Sequence, residues 1–347
     1  MTNAVARVID DALRPYNLGR LNPLGLNSVA PALFAHGTEA QRSRYLGPIV
    51  RNEERWCQLL SEPGAGSDLA SLATRAVRDG DTWVLDGQKV WTTWAHISEF
   101  AICLARTDPT VAKRSGLTYF IVDLNSSGVE VRPLRHMGGE VDFNEVFLDS
   151  VHVPDSQRIG AEGDGWRVAA SSLAGERQMV SGSSSGGVDR IGGRGIDEFI
   201  TRCRNRGPIT DKLTRQKLVA LYSQESVRHW TNQRLRADKT GPIDASGAAS
   251  LGKVDQGSLN QLTQMHIVDS LGMDAVAWLE PERARMAEAD RYAKGLPLEV
   301  RAMLRSRANT IEGGTSEINK NAIGERVLGL AREPDIWAQA PWQEIPR

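Results

Sequence analysis

The chain has little cysteine, few histidines and no long apolar run, and each shortage removes a class of protein. Its three cysteines, Cys57, Cys103 and Cys203, lie far apart and are odd in number. They read as reduced thiols of a cytoplasmic protein, not as a disulfide framework or a metal site. The six histidines show no ligand spacing, so no metal centre is expected. No stretch reaches the roughly 18 consecutive apolar residues of a membrane span. Residues 1–7 lack a charged segment leading into an apolar core, so no signal peptide is expected. Charge of one sign is missing as well. With 42 basic and 43 acidic residues the formal net charge is −1, which argues against nucleic acid or a membrane surface as partner. What remains is a globular composition, 40% apolar, in a chain of 347 residues that can hold two or three cored units. No internal repeat or low-complexity tract is evident.

The pattern divides into three parts: residues 1–55, 56–155 and 156–347. Residues 26–55 read as helical, with Val29, Leu33 and Phe34 ahead of a polar segment. From Trp56 to about Val153, short β-rich runs at 83–85, 100–105, 118–122 and 129–131 alternate with turns. Asp79-Gly80 and Asp86-Gly87 are turn signals between them. Strands so short and so regularly spaced suggest a small barrel or sandwich. From Trp166 onward the pattern is helical, with runs at 166–181, 215–236, 259–279, 299–311 and 316–330. The 215–236 run is amphipathic through Leu218, Leu221, Val227 and Trp230. Between the first two runs, glycine and serine at 181–187 and 192–195 disfavour a helix. The expected architecture is an α+β multidomain chain: a short helical N-terminal part, a central small β-domain and a C-terminal helical bundle.

Two stretches carry chemistry. In the first, Gly313 and Gly314 break a helical pattern and let backbone approach a ligand closely. Thr315 and Ser316 suit the cap of a following helix with Ile318, Ile323, Val327 and Leu328 on one face. A helix start fed by a glycine turn offers N–H groups to a phosphate, a carboxylate or a developing oxyanion. The second stretch is Ser61-Glu62-Pro63-Gly64-Ala65-Gly66-Ser67-Asp68, followed by Gly87-Gln88-Lys89-Val90-Trp91-Thr92-Thr93. Trp91 is an aromatic slab, and Thr93, two residues on in a strand, falls on the same face. Slab, hydroxyls and free amides suit a planar heterocycle with a polar tail. Each motif alone also reads as ordinary packing or capping.

In this order and spacing the motifs resemble the acyl-CoA dehydrogenase family of flavoenzymes, most closely its actinobacterial branch. The similarity takes in Trp56 to Pro63, Phe143 to Asp149, Val153-Pro154, Gly163 to Trp166 and Glu325 to Leu330. It implies FAD, buried between the β-domain and the bundle with a neighbouring subunit completing the site. Leu60, Ser61, Ser67, Trp91, Thr93, Thr315 and Glu317 would be the flavin contacts. It also implies α,β-dehydrogenation of an acyl-CoA thioester, with the Gly313 N–H as one donor to the thioester oxygen and electrons passed to an electron-transfer flavoprotein. A homo- or hetero-oligomer, dimer or tetramer, goes with it, and so does a role in fatty-acid, lipid or steroid breakdown. Trp94 stands where the family usually has a smaller residue. The resemblance argues for a continuous helix across the glycine- and serine-rich segment, against the local composition.

The catalytic base stays open at this stage. Much of the family places a carboxylate just before the Gly-Thr pair, where this chain has Gly313. Other members place it at the start of the first bundle helix, in a Glu-Arg pair, which Glu176-Arg177 matches, and Glu176 is the favoured candidate. Glu312 is the second candidate, and a chain without a working base is the third reading. Three departures bear on this. Only 55 residues precede Trp56, about half the usual helical segment. The arginine-x-x-phenylalanine-glycine motif is replaced by Arg202 to Pro208, and the Gln-x-x-Gly-Gly segment by Asp269 to Asp274. These are compatible with two unlike chains sharing a site. A non-catalytic partner subunit, or a flavin oxidase or monooxygenase on the same fold, are the competing readings.

Overall fold

The computed structural model describes residues 22–180, 195–205, 209–237, 245–277 and 295–346. The chain's own contacts divide it into two units. Of the described residues, a sheet unit takes those within Gly19–His136, Val141–Glu176 and Glu333–Arg347, and a helical unit those within Met137–Glu140 and Arg177–Arg332.

In the sheet unit the strands are β1 (Trp56–Leu59), β2 (Arg75–Asp79), β3 (Thr82–Thr93), β4 (Phe100–Arg106), β5 (Leu117–Asp123), β6 (Val129–Leu134), β7 (Phe143–Pro154) and β8 (Arg158–Ile159). They form one sheet in the order β6-β7-β3-β2-β4-β5-β8, with β1 parallel to β4 off that path. β4 and β5 are apolar almost throughout, and that continuous pattern marks strands covered on both faces. Helices α1 (Ala30–His36), α2 (Glu39–Arg51) and α3 (Gly165–Val180) belong with this sheet. Val29, Leu33, Tyr45, Ile49 and Val168 pack with Trp56, Leu104, Leu117 and Tyr119 in its core. A reciprocal cap, Thr38 with Gln41, starts α2. The Gln41 amide also donates to the Ser156 and Arg158 carbonyls, at 2.8 and 2.9 Å, so the cap ties the helix to β8. Cys57 and Cys103 are free and fully buried. Burial pushes both thiols up, Cys103 to about 11, so neither is a ready thiolate.

The helical unit contains α4 (Ile196–Asn205), α5 (Lys212–Ala237), α6 (Ala245–Leu271), α7 (Leu298–Ser306) and α8 (Ser316–Ala322). Ile196 and Phe199 of α4 pack with Leu218 and Leu221 of α5 and Leu259 and Ile267 of α6. No helix among the described residues is long and apolar enough to cross a membrane.

Several local expectations need correction. Asp86-Gly87 is not a turn. β3 runs straight through it with a bulge between Leu85 and Gly87. Glycine is needed there because a Cβ would lie 2.4 Å from the Thr74 hydroxyl oxygen. Val227 and Trp230 do not join the buried stripe of α5; they are 57% and 62% exposed, whereas Leu218 and Leu221 are buried. Phe34 is likewise exposed, and Ile318 and Leu328 of the C-terminal run are 38% and 65% exposed. α6 begins at Ala245, well ahead of Leu259, and α4 was not anticipated at all. The glycine- and serine-rich segment at 181–194 lies outside the described residues.

Candidate functional site

The predicted residues fall into two groups, one in each unit. In the sheet unit, the chain leaves β1 through Leu60 and Ser61 and doubles back at a small bridge in which Glu62 and Ala65 exchange backbone hydrogen bonds of 3.0 Å. The Ser61 carbonyl accepts the Val90 amide at 2.9 Å, so the loop abuts the end of β3 that carries Trp91 and Thr93. Leu60 is buried, Ser61 and Thr93 are half-buried, and Ser67 is exposed.

Trp91 is the unusual residue of this group. It is 56% exposed and its φ is +59°, at a second bulge in the β3–β7 pairing between Lys89 and Thr92. A bulky residue in the left-handed region costs on the order of 1–3 kcal/mol, and such strain persists only where neighbours over-determine it. Here Lys89 pairs with Val146 on one side of the bulge. On the other side, the Asn144 amide donates to the Thr92 carbonyl at 3.0 Å. The Trp91 ring meets Phe143 edge to face at 5.7 Å. The bulge also breaks strict alternation, so two-residue spacing alone does not place Thr93 on the face of Trp91.

Gly64 and Gly66 need a separate explanation. Neither has a left-handed φ, and a Cβ at either would meet nothing within 4 Å. The chain's own packing therefore does not demand glycine, and the bare backbone faces open space. Both exposed glycines belong to the loop that the Ser61–Val90 hydrogen bond holds against β3, the strand that carries the exposed, strained Trp91, and they leave the loop's backbone bare. That is what close approach of a planar, polar-tailed ligand requires.

In the helical unit, Gly313 and Gly314 have φ of +64° and +88°, so this turn does require glycine. The Thr315 hydroxyl caps α8 by accepting the Ile318 amide at 3.2 Å, and the Asn319 side chain donates to the Gly314 and Thr315 carbonyls. Among the described residues, no backbone hydrogen bond engages the Gly313 N–H. Glu317 is exposed, and its carboxylate lies 4.0 Å from Lys320. Glu312 is committed on both oxygens, to Arg305 at 2.8 Å and to the Asn309 amide at 2.7 Å. That arrangement makes it a clamp of the turn. Glu176 lies in the last turn of α3, and its side chain is outside the described residues.

Motif reading missed the groups that hold these segments. Lys89, between Gln88 and Val90 of the quoted motif, is fully buried against Glu62. In the helical unit, α6 fixes the segment leading into the glycine turn. Asn260 donates to the Asn309 side chain at 2.7 Å, and Lys253 donates to the Asn309 carbonyl. Gln261 reaches the Ser306 and Arg307 carbonyls and the Thr310 hydroxyl, at 3.1 to 3.3 Å. Gly257 faces the same backbone, where a Cβ would sit 2.7 Å from the Asn309 oxygen. The available signal was a helix with polar residues at 253, 260, 261 and 264 on buried or half-buried positions.

Comparison with known proteins agrees with this layout. Residues 57–151 match the acyl-CoA dehydrogenase middle domain, and residues 163–328 match the acyl-CoA dehydrogenase C-terminal domain. The acyl-CoA dehydrogenase IpdE1 of Mycobacterium tuberculosis is 37% identical over 316 residues, 90% of this chain and 77% of that one. FadE34 of the same organism is also 37% identical, over 87% of this chain, which spans 39% of that longer protein. Among solved structures, the Mycobacterium tuberculosis ChsE4-ChsE5 complex superposes with a TM-score of 0.74 at 28% identity, over 94% of this chain and 81% of that one. The Tcur3481-Tcur3483 steroid ACAD gives 0.73 at 27%, over 88% and 76%. A β-domain with a glycine cradle and a helical domain with a capped glycine turn, matched by both domain models and by a relative of comparable length, have one consistent reading: the chain belongs to the acyl-CoA dehydrogenase family.

Proposed function

We propose that this chain is an FAD-dependent acyl-CoA dehydrogenase subunit, and the observation that carries the reading is the open cradle of Gly64 and Gly66, in the loop held against the strand that carries the strained, exposed Trp91. Leu60, Ser61, Ser67, Trp91 and Thr93 from the sheet unit, and Thr315 and Glu317 from the helical unit, would hold the flavin. When bound, FAD supplies the acceptor for a hydride from the substrate β-carbon. The protein's part is to hold and to move a proton. The Gly313 amide, presented at φ +64° by a turn clamped through Glu312, Asn309 and α6, is a donor for the thioester oxygen as negative charge develops there. Glu176 is the base for the α-proton, because Glu312 already has both oxygens engaged. Electrons would pass on to an electron-transfer flavoprotein.

The related structures named as a steroid ACAD and as a two-protein complex support a heteromeric assembly acting on a bulky CoA thioester. The departure at Asp269 to Asp274 favours the same reading. Its first residues end α6 at Leu271, and a single turn, Gly272–Val276, follows with a left-handed Gly272 and an exposed Met273. A second reading, a half-site subunit that lends the cradle to a catalytic partner, rests on that segment too.

The test is the visible spectrum of the chain expressed alone and with a paralogue, followed by anaerobic titration with steroid-type and straight-chain acyl-CoA. Substrate should bleach the flavin band. Glu176→Gln should retain the flavin and slow bleaching by about 100-fold or more. Bleaching within a few-fold of wild type would remove Glu176 as base. A flavin-free protein in every combination would remove the dehydrogenase reading.

A further inference from the structure

We propose that Lys89 is a positioning residue for the flavin-binding loop: its buried ammonium gathers the Leu60 and Leu104 carbonyls and the Glu62 carboxylate, and so fixes where the Leu60-Ser61 backbone and the Trp91 bulge stand. The proposal rests on the flavin reading of that loop.

The sheet itself shows why such a fastener is needed. β3 pairs with β2 only from Thr82 to Asp86, while its pairing with β7 continues to Thr93. Beyond Asp86 the other edge of β3 therefore has no ladder partner among the described residues, and that is the stretch carrying Lys89, Val90, Trp91 and Thr93. Two contacts take over from the ladder. One is the Val90 amide on the Ser61 carbonyl at 2.9 Å. The other is the Lys89 side chain, which reaches the Leu60 carbonyl at 3.0 Å, Glu62 Oε1 at 2.8 Å and the Leu104 carbonyl at 2.8 Å. An ammonium has three protons, and here each has an acceptor. Through them one side chain on β3 grips the chain leaving β1 and the middle of β4.

Glu62 completes the arrangement. Its carboxylate also accepts the Ala73 amide at 2.6 Å and the Thr74 amide at 2.9 Å, which joins the glycine loop to the entry of β2. Burial by itself would raise this carboxyl. The Lys89 charge and the hydrogen bonds from Lys89, Thr74 and Ala73 outweigh burial and hold it below the usual carboxylate range. Apolar residues of similar volume can replace a buried ion pair with little loss of stability, so the pair is poor evidence of a stability device. Directed hydrogen bonds to two carbonyls, one on the segment leaving β1 and one on β4, are something an apolar side chain cannot supply. Lys89 is also the last paired residue before the bulge that holds Trp91 at φ +59°. Its placement therefore sets the loop and the indole together.

The test compares full-length wild type, Lys89→Met, Lys89→Arg and Lys89→Met/Glu62→Gln. The double variant removes the unpaired buried charge and keeps an oxygen for one of the two amides, Ala73 or Thr74. Amide hydrogen exchange is followed without added FAD, FAD affinity is measured by fluorescence quenching, and thermal unfolding is recorded in parallel. In Lys89→Met the amides of Glu62, Ala65 and Val90 should exchange at least about tenfold faster while the β4–β5 ladder keeps its protection. FAD affinity should fall by at least about tenfold. The double variant should recover most of the melting temperature but neither the slow exchange nor the affinity, and Lys89→Arg should fall between. The assignment is overturned if exchange in Lys89→Met is unchanged, if it rises uniformly across the sheet, or if the double variant restores FAD affinity together with stability. Wild type that takes up no FAD would count against the flavin reading, and the exchange pattern would still decide whether Lys89 holds the loop.

Discussion

Gly64 and Gly66 in the sheet unit, and Gly313 and Gly314 in the helical unit, all belong to short loops carrying candidate site residues. The chain uses them differently. At 313 and 314 the backbone is left-handed, and the glycines serve the turn itself. At 64 and 66 the backbone is ordinary and the space beyond it is open, so the chain's own conformation does not call for glycine, and the proposed flavin would. The supports differ as well. A buried ion pair fastens the sheet-unit loop, whereas side-chain amides of α6 and one buried lysine carry the helical-unit turn. A ligand-binding glycine and a conformational glycine look alike in sequence. They separate only when φ and the surroundings of the missing Cβ are known.

The sharpest way to break this comparison is at Gly257, the position on α6 that lets the Asn309 carbonyl approach. Alanine in a helix interior normally gains roughly 0.5–1 kcal/mol over glycine. Here its Cβ would lie 2.7 Å from a backbone oxygen, which cannot swing aside as a flexible side chain would. Overpacking of that kind costs about 1–3 kcal/mol. Gly257→Ala should therefore destabilise the protein in urea, and exchange at the 307–312 amides should quicken ahead of that in the sheet. A variant as stable as wild type would show that α6 does not fix the turn.

Gly314→Ala should come next. Placing a Cβ at φ +88° costs about 1–2 kcal/mol. The loss should appear as a lower melting temperature, with Thr315 still capping α8. No loss would mean that the turn relaxes out of the left-handed region, and the contrast with Gly64 and Gly66 would fail.

Much of the architecture could be read from the residues, and the gaps have physical causes. The short β-rich runs between turns that became β4, β5 and β6, and the helical runs after Trp166, follow from the local pattern. Asp86-Gly87 misled because Asp-Gly is a turn signal locally, whereas the Gly87 requirement comes from Thr74, thirteen positions earlier and on the far side of a strand pair. The pattern places the helix from 259, whereas α6 begins at Ala245 and includes Gly257, where the Asn309 backbone approaches too closely for a Cβ. Val227 and Trp230 fitted an amphipathic stripe whose width the buried Leu218 and Leu221 do not share. Trp91 could be picked out as the aromatic of a motif, but its exposure and its strained φ, at the β3–β7 register shift, could not. Lys89 was visible yet assigned no role, since nothing in sequence pairs it with a carboxylate 27 positions away. Motifs pointed to the residues proposed to face a ligand. What holds those residues in place depends on long-range partners.

Gly64→Ala and Gly66→Ala should have the smallest effect on stability and decide most about function. Neither position has a left-handed φ and neither Cβ would touch anything, so the folded state should accept both. The denatured chain loses conformational freedom, which should raise stability by about 0.4–1 kcal/mol per site. The same methyl groups would stand where a ligand is proposed to approach bare backbone. Flavin uptake should fall in each variant while the melting temperature holds or rises, the opposite pairing from Gly314→Ala, where the melting temperature falls first. Equal uptake in wild type and in the double alanine variant would show that the open space at this loop is plain solvent, and the cradle would lose its claim on the flavin.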